Sequence, residues 1–227
     1  MTIPTPQPAA AVIFLRDGSQ SLEVLLVRRS EAMAVHGGSW VFPGGKVDAE
    51  DVFDDSSGEL HSARAAAVRE VREETGIHIA ADALHPFSHW TTSTARSRRF
   101  STWFFVASVG AETTVRVDGT EIVDHRWQSI DDVLSARERG EMVLPPAPFI
   151  ALEVLRAFTG VDDLPGFVES HPVERFVPKI VPVAEGEVAL YEGDAGYDAL
   201  ELQRPGARHR LYMLRSGWRY ERSRDTA

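Results

Sequence analysis

The chain has 227 residues, 43% hydrophobic and 26% charged, which suits one globular domain with an elaboration. It has no cysteine, which excludes disulfide scaffolds, zinc–thiolate sites and thiol nucleophiles. The formal net charge of −10 repels nucleic acid and no apolar run approaches a membrane span, so neither nucleic acid nor a membrane is an expected partner.

Residues 1–8 are Pro-rich and lack the basic and apolar regions of a signal peptide, so a cytoplasmic protein is expected. Ala9 to Arg16 reads as a strand, Asp17-Gly18 as a turn, and Leu22 to Arg28 as the return strand of a hairpin. Ser30 to Ser39, containing His36, reads as a loop. Trp40-Val41-Phe42 then forms a short strand running into Pro43-Gly44-Gly45. The glycine pair lets the main chain approach a ligand closely. Asp48 to Glu59 is acidic and turn-like. Leu60 to Thr75 is the strongest helix, because Leu60, Ala63, Ala67 and Val71 make an apolar stripe at helical spacing. Ser56 or Ser57 is its candidate cap and Gly76 its stop.

Strands are expected at Leu84–Thr92, Arg99–Ser108 and Glu121–Gln128, with a polar, basic link over 93–98. A second helix runs near Ile130 to Arg139, and Pro145-Pro146 opens a third near Ala147 to Phe158. Beyond Gly160 the composition changes: Pro165, Pro172, Pro178 and Pro182 precede strand-like pieces at Glu187–Tyr191, His209–Leu214 and Trp218–Arg222. A main domain over 1–160 is therefore expected, followed by a C-terminal extension over 161–227 with some β structure. The extension packs either on that domain or on a second subunit, the latter making a homodimer.

Arg69-Glu70-Val71-Arg72-Glu73-Glu74-Thr75-Gly76-Ile77 breaks local rules. Glu70, Glu73 and Glu74 share a helix face, where like charges repel. They also sit near the helix C-terminus, where the macrodipole disfavours anions. A hard divalent cation would resolve the conflict. The stretch resembles the Nudix hydrolase box: G, five residues, E, seven residues, then R-E-U-x-E-E-x-G-U with U aliphatic. Gly45 matches the opening glycine within Phe42-Pro43-Gly44-Gly45, and Arg69 to Ile77 match every fixed position of the second half. Arg69 lies 24 residues after Gly45 rather than fourteen, so ten extra residues interrupt the box. Counting back from Arg69 puts His61 at the middle glutamate, which leaves Glu50, Asp51 and Glu59 as alternatives.

Leu25 to Ser30, His36, Gly38 and Phe42 to Asp51 also resemble the signature of coenzyme A-cleaving Nudix enzymes. Met33 and Ala34 stand where that signature has leucine and arginine. The resemblance implies a Nudix fold, an α/β/α sandwich with a mixed β-sheet. It also implies hydrolysis of a small-molecule nucleoside diphosphate derivative with Mg²⁺ or Mn²⁺. Coenzyme A or acyl-coenzyme A leads as substrate; ADP-ribose, a nucleoside diphosphate-sugar and a non-catalytic ligand sensor are the alternatives.

By the same resemblance Glu70 and Glu74 are the main metal ligands, with Glu73 a further ligand or base and the Gly44 carbonyl a main-chain ligand. Arg69 orients Glu73. Glu121 and Asp124 are candidates for an additional catalytic carboxylate. Arg28, Arg29, Arg96, Arg98 and Arg99 are candidates for the substrate phosphates, because arginine forks match phosphate oxygens. His36 reads as a structural hydrogen-bonding residue. Trp40, Trp90, Trp103 and Phe104 read as core before they read as a stacking platform for adenine.

Overall fold

The computed structural model describes residues 3–52 and 58–223. The candidate caps Ser56 and Ser57 fall outside these. The elements, in chain order, begin with β1 (Gln7–Asp17), β2 (Leu22–Arg29), β3 (Trp40–Val41), β4 (Gly44–Lys46) and a 3₁₀ turn at Ala49–Asp51. Helix α1 (Gly58–Thr75), a 3₁₀ turn at Ala81–Ala83, β5 (His85–Thr91), β6 (Phe100–Ser108) and β7 (Ile122–Ser129) follow. Next come α2 (Ile130–Glu138), α3 (Pro146–Leu155), α4 (Asp163–Ser170), β8 (Glu174–Phe176), β9 (Lys179–Val183), β10 (Gly186–Leu190), β11 (His209–Leu214) and β12 (Gly217–Arg222).

By contact the chain forms two units: the larger holds Pro8–Ser88 and Thr102–Glu174, the smaller Met1–Gln7, His89–Ser101 and Arg175–Ala227. In the larger unit β1 pairs antiparallel with β2 and with β4, and β2 pairs antiparallel with β3 and with β7. β6 lies beside β1 and runs parallel to it, since the bonded pairs advance together from Gln7–Arg99 to Leu15–Val109. The sheet is therefore mixed.

Alternation fixes which residues meet α1. Ala10, Val12 and Phe14 of β1 and Trp103, Phe105 and Ala107 of β6 point to one face. There they pack on Ala63, Ala66, Ala67 and Val71. Ile13 and Leu15, from the other set, are also fully buried, so the sheet is covered on both faces. α2 packs on β2 and β7, and α3 on α2. The result is the expected α/β/α sandwich.

The smaller unit is built on an antiparallel meander in the order β12-β11-β10-β9. Its core is aromatic: Trp90 stacks on Phe176 with centroids 4.1 Å apart, and Tyr191 packs edge-on against both. Beneath the 192–208 loop Asp194 and Arg210 form a buried pair, with both guanidinium–carboxylate contacts at 2.7 Å.

Candidate active site

The site starts with the glycine pair. Gly44 has φ +150, and a Cβ there would collide with the Ala10 carbonyl on the neighbouring strand. A Cβ on Gly45 would collide with the Glu70 carboxylate. These two positions let β4 lie directly against the C-terminal half of α1. The Gly44 N–H donates to Glu74 Oε2 at 2.8 Å. Glu74 is 5% exposed, and burial pushes its carboxyl up to about 8. The Gly44 amide and Arg29 oppose that rise, while Glu70 and Glu121 add to it. Burial also raises Glu70, against the pull of Arg69.

Arg69 is the hub of the arrangement. Its Nε and Nη2 donate to the two oxygens of Asp51 at 3.1 and 2.8 Å. Its Nη1 donates to Glu70 Oε1 at 3.0 Å and Glu73 Oε2 at 3.2 Å, and its Nη2 also donates to the Lys46 carbonyl at 3.0 Å. The guanidinium therefore ties the turn after β4 to the acidic face of α1.

Asp51 is only 4% exposed and also accepts the Asp48 N–H at 2.8 Å. Burial alone would raise its carboxyl, but Arg69 and that amide hold it below its ordinary value. Of the three alternatives for the middle position of the box, Asp51 is the one that forks with Arg69. Glu50 reaches only 3.8 Å and stays exposed, and Glu59 lies in the exposed first turn of α1. The signal was in the sequence. Five residues intervene between Gly45 and Asp51, the spacing of the box, and the extra residues all fall after Asp51.

Arg28 and Arg29 close β2 at a bulge, with Arg28 opposite Asp124 and Arg29 opposite Ile122 on β7. The Nε atoms of both are buried with no hydrogen-bond partner among the described residues. Asp124 accepts the His125 N–H at 2.8 Å. Glu121 is exposed, and Asp118 fixes its backbone by accepting the N–H groups of Glu121 and Ile122 at 2.7 and 3.0 Å. Sequence reasoning did not single out Asp118; its place before Gly119 is an ordinary turn signal. Burial and then Arg29 lower the titration of His36. Trp40 lies under the Arg126 guanidinium, 4.7 Å from the ring centroid, and Phe104 packs edge-on to Phe42.

The structure thus brings Gly44, Arg69, Glu70, Glu73 and Glu74 together, with Arg29 and Glu121 near enough to act on the Glu74 charge. Arg96, Arg98 and Arg99 belong to the smaller unit. There Arg96 pairs with Glu187 at 3.2 Å, Arg99 donates to the Thr92 and Pro4 carbonyls, and Arg98 is exposed. Among the described residues no three His, Asp or Glu side chains form a closed metal-ligand group. The donors nevertheless suit a hard cation. Glu70 and Glu74 are two oxygen donors one turn apart whose burial disfavours bare negative charge, the condition a divalent cation relieves.

A model of the NUDIX domain matches residues 5–152. The human acyl-coenzyme A diphosphatase NUDT19 is 33% identical over 120 residues, covering 51% of this chain and 32% of that protein. The Caenorhabditis elegans peroxisomal coenzyme A diphosphatase ndx-8 is 40% identical over 73 residues, covering 32% of this chain and 28% of its own length. The match therefore spans about a third of these curated relatives. Among solved structures, a NUDIX hydrolase from Alicyclobacillus acidocaldarius superposes with TM-score 0.64 at 21% identity, covering 76% of this chain and 99% of that one. The NUDIX domain of Shewanella oneidensis NrtR, complexed with ADP ribose, gives 0.50 at 19%, covering 67% and 88%. Members of this family generally use divalent metal ions. With the domain match, the box on α1 and the sandwich in agreement, the chain belongs to the NUDIX domain family and resembles its coenzyme A diphosphatase-like branch.

Proposed function

We propose that the protein is a metal-dependent hydrolase that cleaves the pyrophosphate linkage of a nucleoside diphosphate derivative, with coenzyme A or an acyl-coenzyme A as substrate. The observation that carries the reading is the buried Glu74 beside Glu70, set against the glycine pair and braced through Arg69. Glu70 and Glu74 would hold Mg²⁺ or Mn²⁺, with Glu73 and the Gly44 carbonyl as further donors. Such an ion neutralises pyrophosphate charge and lowers the pKa of a bound water.

The chain's own residues do the rest. Arg69 keeps Glu70 and Glu73 in place. The unpartnered Nε atoms of Arg28 and Arg29 suit phosphate oxygens. Glu121 or Asp124 takes the proton of the attacking water. The water oxygen bonds to one phosphorus, the bridging P–O bond breaks, and the bridging oxygen leaves with the other phosphate. From coenzyme A the products are 3′,5′-ADP and 4′-phosphopantetheine. Arg96, Arg98 and Arg99 remain candidates for substrate phosphates, to be tested by alanine substitution.

The signature residues from Leu25 to Asp51 and the identity with NUDT19 support the coenzyme A assignment. Ala34, at the position of the signature arginine, favours ADP-ribose or a nucleoside diphosphate-sugar as the second reading. Incubation with Mg²⁺ or Mn²⁺ and a panel of coenzyme A, acetyl-coenzyme A, ADP-ribose, NADH and dinucleoside polyphosphates separates them. Coenzyme A or its acyl ester is expected to be cleaved fastest. Cleavage of ADP-ribose alone would sink the coenzyme A reading, and no cleavage at all would leave a ligand sensor.

A further inference from the structure

Helix α1 has a second polar face that the candidate metal site does not use. His61, Ala65, Val68 and Arg72 recur every three or four residues, on a stripe about half a turn round the helix from Glu70 and Glu74. Against this stripe lies a cavity of about 880 Å³, also lined by Arg64 and by Ala81 of the 3₁₀ turn. Its size falls within the roughly 300–1,000 Å³ of small-molecule sites.

Three carboxylates and three guanidiniums line this cavity, but the pairing among them is uneven. Asp51 and Glu73, at one edge, are engaged by Arg69, and Glu50 lies 3.8 Å from the same guanidinium. Among the described residues Arg64 and Arg72 have no carboxylate partner, and Arg64 Nε is buried without a hydrogen-bond acceptor. Other arginines in this acidic chain find one: Arg139 pairs with Glu141, and Arg156 with Asp131. The Arg64 guanidinium lies 5.7 Å from the centroid of the buried Phe105 ring, so it is held before any ligand arrives. Ala65, Val68 and Ala81 supply an apolar floor between the cations.

We propose that this cavity binds a phosphate-bearing small molecule of nucleotide size. Arg64 receives the phosphate, the exposed Arg72 swings onto it, and the apolar part lies on Ala65, Val68 and Ala81. Arg64 and Arg72 lie away from the face of α1 that carries Glu70 and Glu74, the cavity shares only the rim residues Asp51, Arg69 and Glu73 with the candidate metal site, and it does not depend on the reaction proposed above.

The test is calorimetric titration of the full chain with AMP in EDTA, so that no divalent ion bridges phosphate to the α1 glutamates. Saturable binding is expected in the wild type and, unchanged, in Glu74→Gln. Arg64→Gln and Arg72→Gln should each weaken it at least about tenfold. Adenosine, which lacks the phosphate, should not bind. The proposal is overturned by any of four results: no saturable AMP binding, affinity unmoved by the arginine substitutions, adenosine as tight as AMP, or loss of binding in Glu74→Gln. Circular dichroism checks folding, and if Arg64→Gln does not fold, the surface variant Arg72→Gln decides.

Discussion

Arg69 distributes its donors over Asp51, Glu70, Glu73 and the Lys46 carbonyl, so one guanidinium fixes both halves of an interrupted motif. Asp51 is the acceptor it cannot replace from solvent, because the pair is nearly buried. Asp51→Asn keeps the shape and removes the charge. It is expected to lower kcat/KM roughly 10–100-fold, the usual effect of losing a residue that orients a metal ligand. An unchanged kcat/KM in steady-state assays would mean that Arg69 is held well enough by its other partners. The carboxylates and the arginine of this network were legible in the sequence, yet the choice among Glu50, Asp51 and Glu59 was left open although the count from the glycine carried the signal. Counting from the arginine crosses the extra residues, whereas the ion pair follows the count from the glycine.

At the level of elements, the close approach of β4 to α1 depends on the absence of a side chain at Gly45. A methyl group there must displace the Glu70 carboxylate. Gly45→Ala is expected to lose about 100-fold or more in turnover, since misplacement of about 1 Å at a reacting centre costs that much. Wild-type kinetics in the variant would show that Glu70 has room to move. The meander carries a second dependence. Burial would raise the Asp194 carboxyl, but Arg210 and the amides of His209 and Gly196 hold it below its ordinary value. A carboxyl depressed in the folded state contributes stability above its unfolded pKa of about 3.9, and that contribution is lost as pH falls through the folded value. Asp194→Ala leaves Arg210 buried and unpaired, at a cost of roughly 3–5 kcal/mol. In denaturant titrations followed by tryptophan fluorescence, the variant should be less stable at pH 7 and lose less on acidification below pH 4. Equal stability at pH 7 would contradict the role given to the pair. Three elements of the Pro-rich stretch, α4, β8 and β9, escaped sequence reading, and for α4 and β9 the reason is a tolerated proline. α4 carries Pro165 in its first turn, where the missing N–H has no helical acceptor anyway, and Phe167 anchors it on Phe87 and Phe158. β9 carries Pro182 but is an edge strand, where proline is tolerated.

Across the whole molecule, a chain of net charge −10 concentrates carboxylates on one face of α1 and sets arginines around them. The strands and helices of the sandwich were legible because hydrophobic periodicity and the glycine–proline punctuation are local signals, and their arrangement was implied by the resemblance that the box carries. In the smaller unit β10, β11 and β12 were legible as strands, but not the gathering of Met1–Gln7, His89–Ser101 and Arg175–Ala227 from three separated stretches. The central claim is that Glu74 makes this fold a metal-dependent diphosphatase. It is tested most directly by titrating Mg²⁺ into wild-type protein and Glu74→Gln while measuring 3′,5′-ADP release from coenzyme A. The account predicts saturable, metal-dependent release by the wild type and nearly none by a Glu74→Gln variant that remains folded. Equal release by both proteins, or wild-type release that persists in EDTA, would contradict it.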